Sequence, residues 1–116
     1  MDLYALFPIT IPPGERSVVS TGIAMAIPEG YVGLIWDKSG LSNKFGLKVI
    51  GGVIDAGYRG EVLVGILNTS KESYTYNAGD KIAQLLLQAV VQPELVVVEE
   101  LDKTVRGDGR FGSTGV

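Results

Sequence analysis

Three glycine-punctuated polar segments hold the residues of this chain that could do chemistry. In Asp37-Lys38-Ser39-Gly40-Leu41-Ser42, a hydroxyl and backbone N–H groups at the start of a helical turn could cradle a phosphate. The plainer alternative is an N-capped turn in a surface loop, which an isolated Ser-Gly pair more often marks. In Gly51-Gly52-Val53-Ile54-Asp55-Ala56-Gly57-Tyr58-Arg59-Gly60, a carboxylate follows apolar residues and is flanked by glycines that permit close backbone approach. Asp55 held there could polarise a water, and Tyr58 could wall a pocket; a β-hairpin in which Asp55 and Gly57 satisfy turn geometry would read the same way. The third segment, Arg106-Gly107-Asp108-Gly109-Arg110-Phe111-Gly112-Ser113-Thr114-Gly115, combines four glycines with two arginines and two hydroxyls. It is donor-rich and suited to folding over a polyphosphate, yet it is no Walker A loop, lacking the terminal G-K-[ST] and a following helix. A frayed terminus is the alternative. Phe111 weighs against that, because disordered tails seldom keep an aromatic without a docking partner.

Composition narrows the chemistry further. The 116 residues include no cysteine, which removes disulfides, thiolate nucleophiles and zinc–cysteine sites, and no histidine, the commonest general base. Catalysis would have to run on carboxylates, hydroxyls, Lys, Arg and backbone dipoles. Ten Lys and Arg against thirteen Asp and Glu give a net charge of -3, so the chain has no general attraction for nucleic acid. A polyanionic ligand would need local cations or a metal ion. The start, Met1-Asp2-Leu3-Tyr4-Ala5, has no basic n-region, and no apolar run approaches the roughly 20 residues of a membrane span. The expectation is a soluble intracellular, cytoplasmic protein without membrane or nucleic-acid partners. At this length one domain is expected, burying roughly two-thirds of its unfolded surface.

The elements that must position these residues read as strands. Turn signals at Pro12-Pro13-Gly14-Glu15, Pro28-Glu29-Gly30 and Asn77-Ala78-Gly79-Asp80 separate Val- and Ile-rich runs at 17–27, 31–36, 61–69 and 95–101. Short strands with turns at roughly 8–12-residue spacing indicate an all-β sandwich or barrel. Ser73-Tyr74-Thr75-Tyr76 alternates like a short strand of a hairpin, and 39–44 fits one helical turn. Over 81–91 the pattern is evenly balanced: Ile82, Leu85, Leu86 and Ala89 fall at helical spacing, while the strand-rich surroundings and Ala89-Val90-Val91 tilt towards strand. Runs such as Val62-Leu63-Val64-Gly65-Ile66-Leu67 are apolar at nearly every position, so both faces need cover. Tight packing in a monomer is one answer; a homo-oligomer with buried interfaces is the favoured one.

Taken in order, the segments resemble the trimeric dUTP diphosphatase (dUTPase) family, whose five ordered motifs are all visible. Asp2-Leu3-Tyr4-Ala5 is similar to the first and Lys38-Ser39-Gly40-Leu41-Ser42 to the second. Gly52-Val53-Ile54-Asp55 through Tyr58-Arg59-Gly60-Glu61 is similar to the third, Gly79-Asp80-Lys81-Ile82-Ala83-Gln84-Leu85 to the fourth, and Arg106-Gly107 through Phe111-Gly112-Ser113-Thr114-Gly115 to the fifth. The resemblance spans essentially the whole chain. It implies an all-β, jelly-roll-like fold over residues 1–105 with a flexible lid at 106–116, strand rather than helix over 81–91, and a homotrimer with three active sites shared at subunit interfaces. The implied reaction is Mg2+-dependent hydrolysis of dUTP to dUMP and pyrophosphate, limiting uracil entry into DNA and supplying dUMP for thymidylate synthesis.

Residue roles follow from the same resemblance. Asp55 would orient and deprotonate the water attacking the α-phosphorus. Tyr58 would pack on the deoxyribose and exclude a 2′-hydroxyl, and backbone near Gly52 would read the uracil edge. Lys38, Ser39, Gly40 and Gln84 would bind the phosphates, with Lys38 standing where arginine is commoner and so lacking the bidentate fork. Arg106 would reach the γ-phosphate from another subunit's tail, Phe111 would stack over the uracil, and Gly112, Ser113 and Thr114 would complete the lid. Arg110 stands where glycine is usual. Asp2 would hold Mg2+ through water. A dCTP deaminase-like relative and a non-catalytic nucleotide-binding or regulatory module of the same fold are the alternatives; the aromatic-bearing lid argues against the first, and the intact set Asp55, Ser39, Gln84 and Arg106 against the second.

Overall fold

The computed structural model of the chain describes residues 1–115. Its strands are β1 (Asp2–Tyr4), β2 (Ile9–Ile11), β3 (Arg16–Ala24), β4 (Tyr31–Trp36), β5 (Leu47–Ile50), β6 (Val53–Ile54), β7 (Glu61–Asn68), β8 (Tyr74–Tyr76) and β9 (Lys81–Ala89), with one short helix, α1 (Ser39–Phe45), between β4 and β5. All strand pairing is antiparallel. One sheet runs β1-β9-β4-β6, a second β3-β7-β5, and β2 pairs with β8. This is the expected jelly-roll-like all-β fold.

The core lies between the sheets and follows the period-two pleat of each strand. Val62, Val64 and Ile66 of β7 point inward with Val19, Leu47 and Val49, against Leu3, Ile35, Ile54 and Leu85 of the other sheet. Residues 81–89 form a strand despite their helical spacing, because β9 pairs on both edges, with β1 and with β4. That pairing outweighs a local periodicity shared by helix and strand. The three turn signals all close, with N–H to carbonyl hydrogen bonds from Glu15 to Pro12, Tyr31 to Pro28 and Asp80 to Asn77. Helix α1 ends at Gly46, whose φ of 67° is the left-handed cap that glycine adopts without a Cβ penalty.

Three expectations are corrected. Strand β8 is not part of a local hairpin: Ile9, Thr10 and Ile11 pair with Tyr76, Thr75 and Tyr74. Its sequence neighbours, β7 and β9, are paired on both edges within the two larger sheets. The 51–60 segment is not a hairpin either, because β6 belongs to one sheet and β7 to the other. Residues 95–101 form no strand. A strand needs an edge to pair with, and here Leu95 and Val97 stand 92% and 97% exposed. After Ala89 the described residues carry no helix or strand, and the chain leaves the body as an arm. The radius of gyration is accordingly 18.6 Å, against roughly 13 Å for a compact domain of ~100 residues. The expected division at 105/106 falls within this arm, and Val116 lies outside the described residues. The outer face of the β3–β7 pair stays uncovered within the chain, with Val18 of β3 and Leu63 of β7 both exposed.

One buried polar side chain ties the far end together. Asn68 donates through Nδ2 to the carbonyls of Ile11 (2.9 Å) and Glu72 (2.8 Å), and its Oδ1 accepts from the Ser70 amide and hydroxyl. The buried hydroxyl of Tyr76, by contrast, has no protein partner. Replacing Asn68 with Ala is expected to cost about 3 kcal/mol, because buried carbonyls and an amide lose their partners together. Tyr76→Phe removes only an unpartnered group and is expected to be neutral or stabilising by up to about 1 kcal/mol. Urea unfolding of the two variants beside the parent protein checks both; equal losses would contradict the contrast.

Candidate active site

Two successive crossings between the sheets, on either side of β6, deliver the first group of candidate residues. The chain leaves β5, turns through Gly51-Gly52 into β6, then crosses back through 55–60 into β7. Gly52 has φ +94° and its carbonyl accepts from the Ile35 N–H of β4 at 2.7 Å. A Cβ at Gly52 would stand 2.8 Å from the Ile35 carbonyl oxygen, so only glycine lets this corner lie so close to β4. Past β6, the turn is closed by the Tyr58 N–H on the Asp55 carbonyl (3.1 Å). It is braced by Arg59, whose Nη1 donates to the carbonyls of Ala56 (2.7 Å) and Tyr58 (3.0 Å). The Tyr58 hydroxyl donates to the Glu61 carbonyl at 2.8 Å, which fixes the ring. Gly52, Val53, Ile54, Asp55 and Tyr58 thus line a pocket of about 170 Å³ with an exposed carboxylate at its edge.

The second cluster forms at the other end of β4. Register sets Asp2 of β1 opposite Gln84 of β9, and Gln84 opposite Trp36 of β4. Asp37 and Lys38 follow directly. Gln84 donates through Nε2 to the Asp37 carbonyl (2.9 Å), while the Asp37 carboxylate accepts from the Val49 N–H (2.6 Å) and from Lys48 Nζ (2.7 Å). Asp37 therefore pins the corner between β4 and α1 to β5. Lys38 Nζ lies 2.6 Å from Asp2 Oδ1, and Lys81 Nζ 3.2 Å from Asp2 Oδ2. Ser39 and Gly40 open α1 on the exposed surface. The expected alternative of a side-chain N-cap is not what forms: the cap position is Lys38, and no side chain caps the helix.

These ion pairs set the charge of the cluster. The hydrogen bond from Lys38, then that from Lys81, holds the Asp2 carboxyl below the usual carboxylate range, and Asp2 in return raises Lys81. The Asp2 contribution is present above its ordinary value of 3.8 and is lost only as pH falls through its lower folded value. The Lys81 contribution is present below 10.5 and is lost only as pH rises through its raised folded value. Across the neutral range Asp2 and Lys81 are therefore both charged.

The structure therefore places Asp55 and Tyr58 at one pocket and Asp2, Lys38, Ser39, Gly40 and Gln84 at the other end of β4, with Gly52, bonded to Ile35, between them. It does not bring the two together. Asp55 follows Ile54, which pairs with Gly33, so Asp55 continues towards Val32 while Lys38 lies beyond Trp36. At the rise of a strand that separation is about 15 Å. Arg106, Phe111, Gly112, Ser113 and Thr114 join neither group. Arg106 Nε donates locally to the Gly109 carbonyl at 3.0 Å, and the Phe111 ring is wholly exposed. Sequence reasoning assigned no role to Asp37, Lys48, Arg59 or Lys81. Arg59, Asp37 and Lys81 carried a readable signal as charged residues inside the quoted segments; Lys48 became visible only through its contact with Asp37.

Comparison with known proteins agrees with the geometry. The dUTPase family profile matches residues 1–115. The deoxyuridine 5'-triphosphate nucleotidohydrolases of Variola virus and Monkeypox virus are each 49% identical over 115 residues, 99% of this chain and 78% and 76% of theirs. A variant of the Staphylococcus bacteriophage 80alpha dUTPase solved with dUpNHpp superposes with a TM-score of 0.92 at 34% identity, covering 99% of this chain and 85% of that one. A variant of the dUTPase of the S. aureus phage phi11, described with a structural Mg(II) ion, gives 0.80 at 34% identity over 85% and 82%. The chain belongs to the dUTPase family. For a dUTPase, the two clusters on β4 coincide with the second, third and fourth motif segments, with Asp2 from the first alongside.

Gly52 offers a direct check on the cavity. Gly52→Ala is expected to destabilise by about 2 kcal/mol or more, since the new Cβ meets backbone and the positive φ is strained. Thermal unfolding measures this, and an unchanged melting temperature would contradict the close approach to Ile35.

Proposed function

We propose that this dUTPase hydrolyses dUTP to dUMP and pyrophosphate as a homotrimer whose sites are shared between protomers. The observation that carries the reading is the separation of the two clusters on β4. A carboxylate with an aromatic-walled pocket lies at one end and a phosphate-suited corner at the other, about 15 Å apart. A nucleotide whose α-phosphorus meets both Asp55 and Gln84 needs one cluster from each of two chains. The exposed outer face of β7 and the unpaired arm, with Val96, Val97 and Leu101 in solvent, offer surface for such an assembly.

In that site Asp55 orients a water and accepts its proton as the water oxygen bonds to the α-phosphorus. The bond from that phosphorus to the bridging oxygen breaks, and pyrophosphate carries the electron pair away. A positioned carboxylate is the available base in a chain without histidine. Tyr58, fixed through Glu61, packs on the deoxyribose and leaves no room for a 2′-hydroxyl. The backbone at Gly52 reads the base, and Lys38, Ser39, Gly40 and Gln84 hold the phosphates. From another protomer's arm, Arg106 reaches the γ-phosphate, Phe111 stacks over the uracil, and Gly112, Ser113 and Thr114 shield the site from water.

Among the described residues, no three or more His, Cys, Asp or Glu side chains gather where they could hold an ion. Two carboxylates stand at the phosphate corner: Asp37, taken up by the Val49 N–H and Lys48, and Asp2, held by Lys38 and Lys81. That donor set fits Mg2+, which keeps several waters and is commonly bound through one or two carboxylates plus substrate phosphates. Asp2 would hold it through water. The ion supplies neutralisation of phosphate charge.

A pyrophosphate-release assay on dUTP, dTTP, dCTP and UTP, with and without Mg2+, tests the reading. Turnover of dUTP alone is expected, and equal turnover of all four would overturn the assigned pocket. Asp55→Asn is expected to retain nucleotide binding while kcat falls by about 10²-fold or more; normal turnover would assign the base elsewhere. Deletion from Arg106 onward is expected to lower kcat without changing the melting temperature.

A further inference from the structure

The register of β9 carries more than the assigned roles. Asp2 pairs with Gln84, Leu3 with Ala83 and Tyr4 with Lys81, so Ile82 is skipped and the ladder is irregular there. Ile82 and Ala83, consecutive in sequence, are both buried in the core. In a regular strand, residues three apart point to opposite faces. The extra inward residue resets that alternation, and Lys81 emerges on the Gln84 side of the strand. Bulges re-aim side chains in this way beside functional sites. As a result the Lys81 ammonium reaches Asp2 Oδ2 at 3.2 Å while Lys38 holds Oδ1 at 2.6 Å. One carboxylate lies under two ammonium groups, an excess of one positive charge in a chain of net charge -3. A pocket of about 290 Å³ opens beside them, lined by Lys38, Gly40, Leu41, Lys44, Phe45 and Lys81. The Lys81 side chain is 55% exposed and can swing without disturbing the core.

We propose that Lys81 is a further substrate-binding cation: Lys38 and Lys81 rest on Asp2 in the free protein and turn together onto the phosphate chain when the nucleotide binds. This rests on the reading of the Lys38–Gln84 corner as the phosphate site. A triphosphate carries several negative charges against the single charge of Asp2, so it out-competes the carboxylate for both lysines. Asp2 meanwhile keeps the two like charges side by side and pre-aimed, which lowers the cost of gathering them at binding.

The test compares Lys81→Gln, Lys81→Arg, Lys38→Gln and, for a matched charge change at an exposed position of the β3-β7-β5 sheet, Arg16→Gln. Each is measured for dUTP hydrolysis and for inhibition by inorganic tripolyphosphate over a range of NaCl concentrations. Lys81→Gln is expected to raise KM about five- to tenfold and to weaken tripolyphosphate inhibition by the same factor, with kcat and melting temperature nearly unchanged. Its KM should also depend less on salt than that of the parent protein. Lys81→Arg should restore KM to within about twofold. An unchanged KM and inhibition constant for Lys81→Gln, or an equal effect of Arg16→Gln, would overturn the assignment. If Lys38→Gln alone raises KM, the phosphate corner stands and only the role of Lys81 fails; if neither does, the reading of the corner itself falls.

Discussion

The six-residue ladder between β4 and β9 is the constraint on which the rest depends. It runs from Tyr31 opposite Ala89 to Trp36 opposite Gln84, and it leaves both ends of β4 to deliver functional groups. Because the hydrogen bonds fix strand register, the position of Gln84 beside Asp37 and the distance between the two clusters follow from the same ladder. Strand β6 adds on the other edge of β4 with only two residues, enough to direct Asp55 but too short to extend the sheet. A shift of one residue in the β4–β9 register would turn Leu85 outward and Gln84 into the core.

The candidate site residues lie where regular strand geometry breaks. Gly51 and Gly52 take positive φ at one crossing, the Asp55–Tyr58 turn makes the next, and the irregularity opposite Leu3 aims Lys81. Two of these breaks are held by hydrogen bonds, the Ile35 N–H on the Gly52 carbonyl and Arg59 on its own turn, and Asp37 ties the β4–α1 corner to β5 in the same way. At the opposite end, Asn68 performs the same office for the 68–72 turn, where nothing catalytic is placed. The aromatic contacts of Phe45 on Tyr74 (5.0 Å) and Tyr74 on Tyr76 (4.8 Å) connect α1 to the core, so the helix that carries Ser39 is anchored although it buries no residue of its own.

The arm sets the boundary of what one chain does alone. Its Val- and Leu-rich stretch has strand composition but no edge to pair with, and its aromatic, Phe111, touches nothing. A segment of that composition left in water is unfavourable by the same hydrophobic term that builds the core. The proposed assembly gives it cover and at the same time joins the two half-sites.

By itself the sequence determined the fold class, the turns at residues 12–15, 28–31 and 77–80, the helix after Lys38, and the family, because these rest on local residue types and on motif order. Asp55 and Tyr58 were legible for the same reason: a carboxylate and an aromatic amid glycines advertise a constrained corner. Tertiary structure decided the rest. Spacing left 81–91 balanced and the family resemblance made it strand, which pairing on both edges enforces; only the absence of a partner edge denied a strand to 95–101, and only register could join β8 to β2 and set Asp2 under Lys38 and Lys81. Composition and spacing act over a few residues, whereas register and edge pairing are settled between segments tens of residues apart, where the chain carries no local mark of its partner.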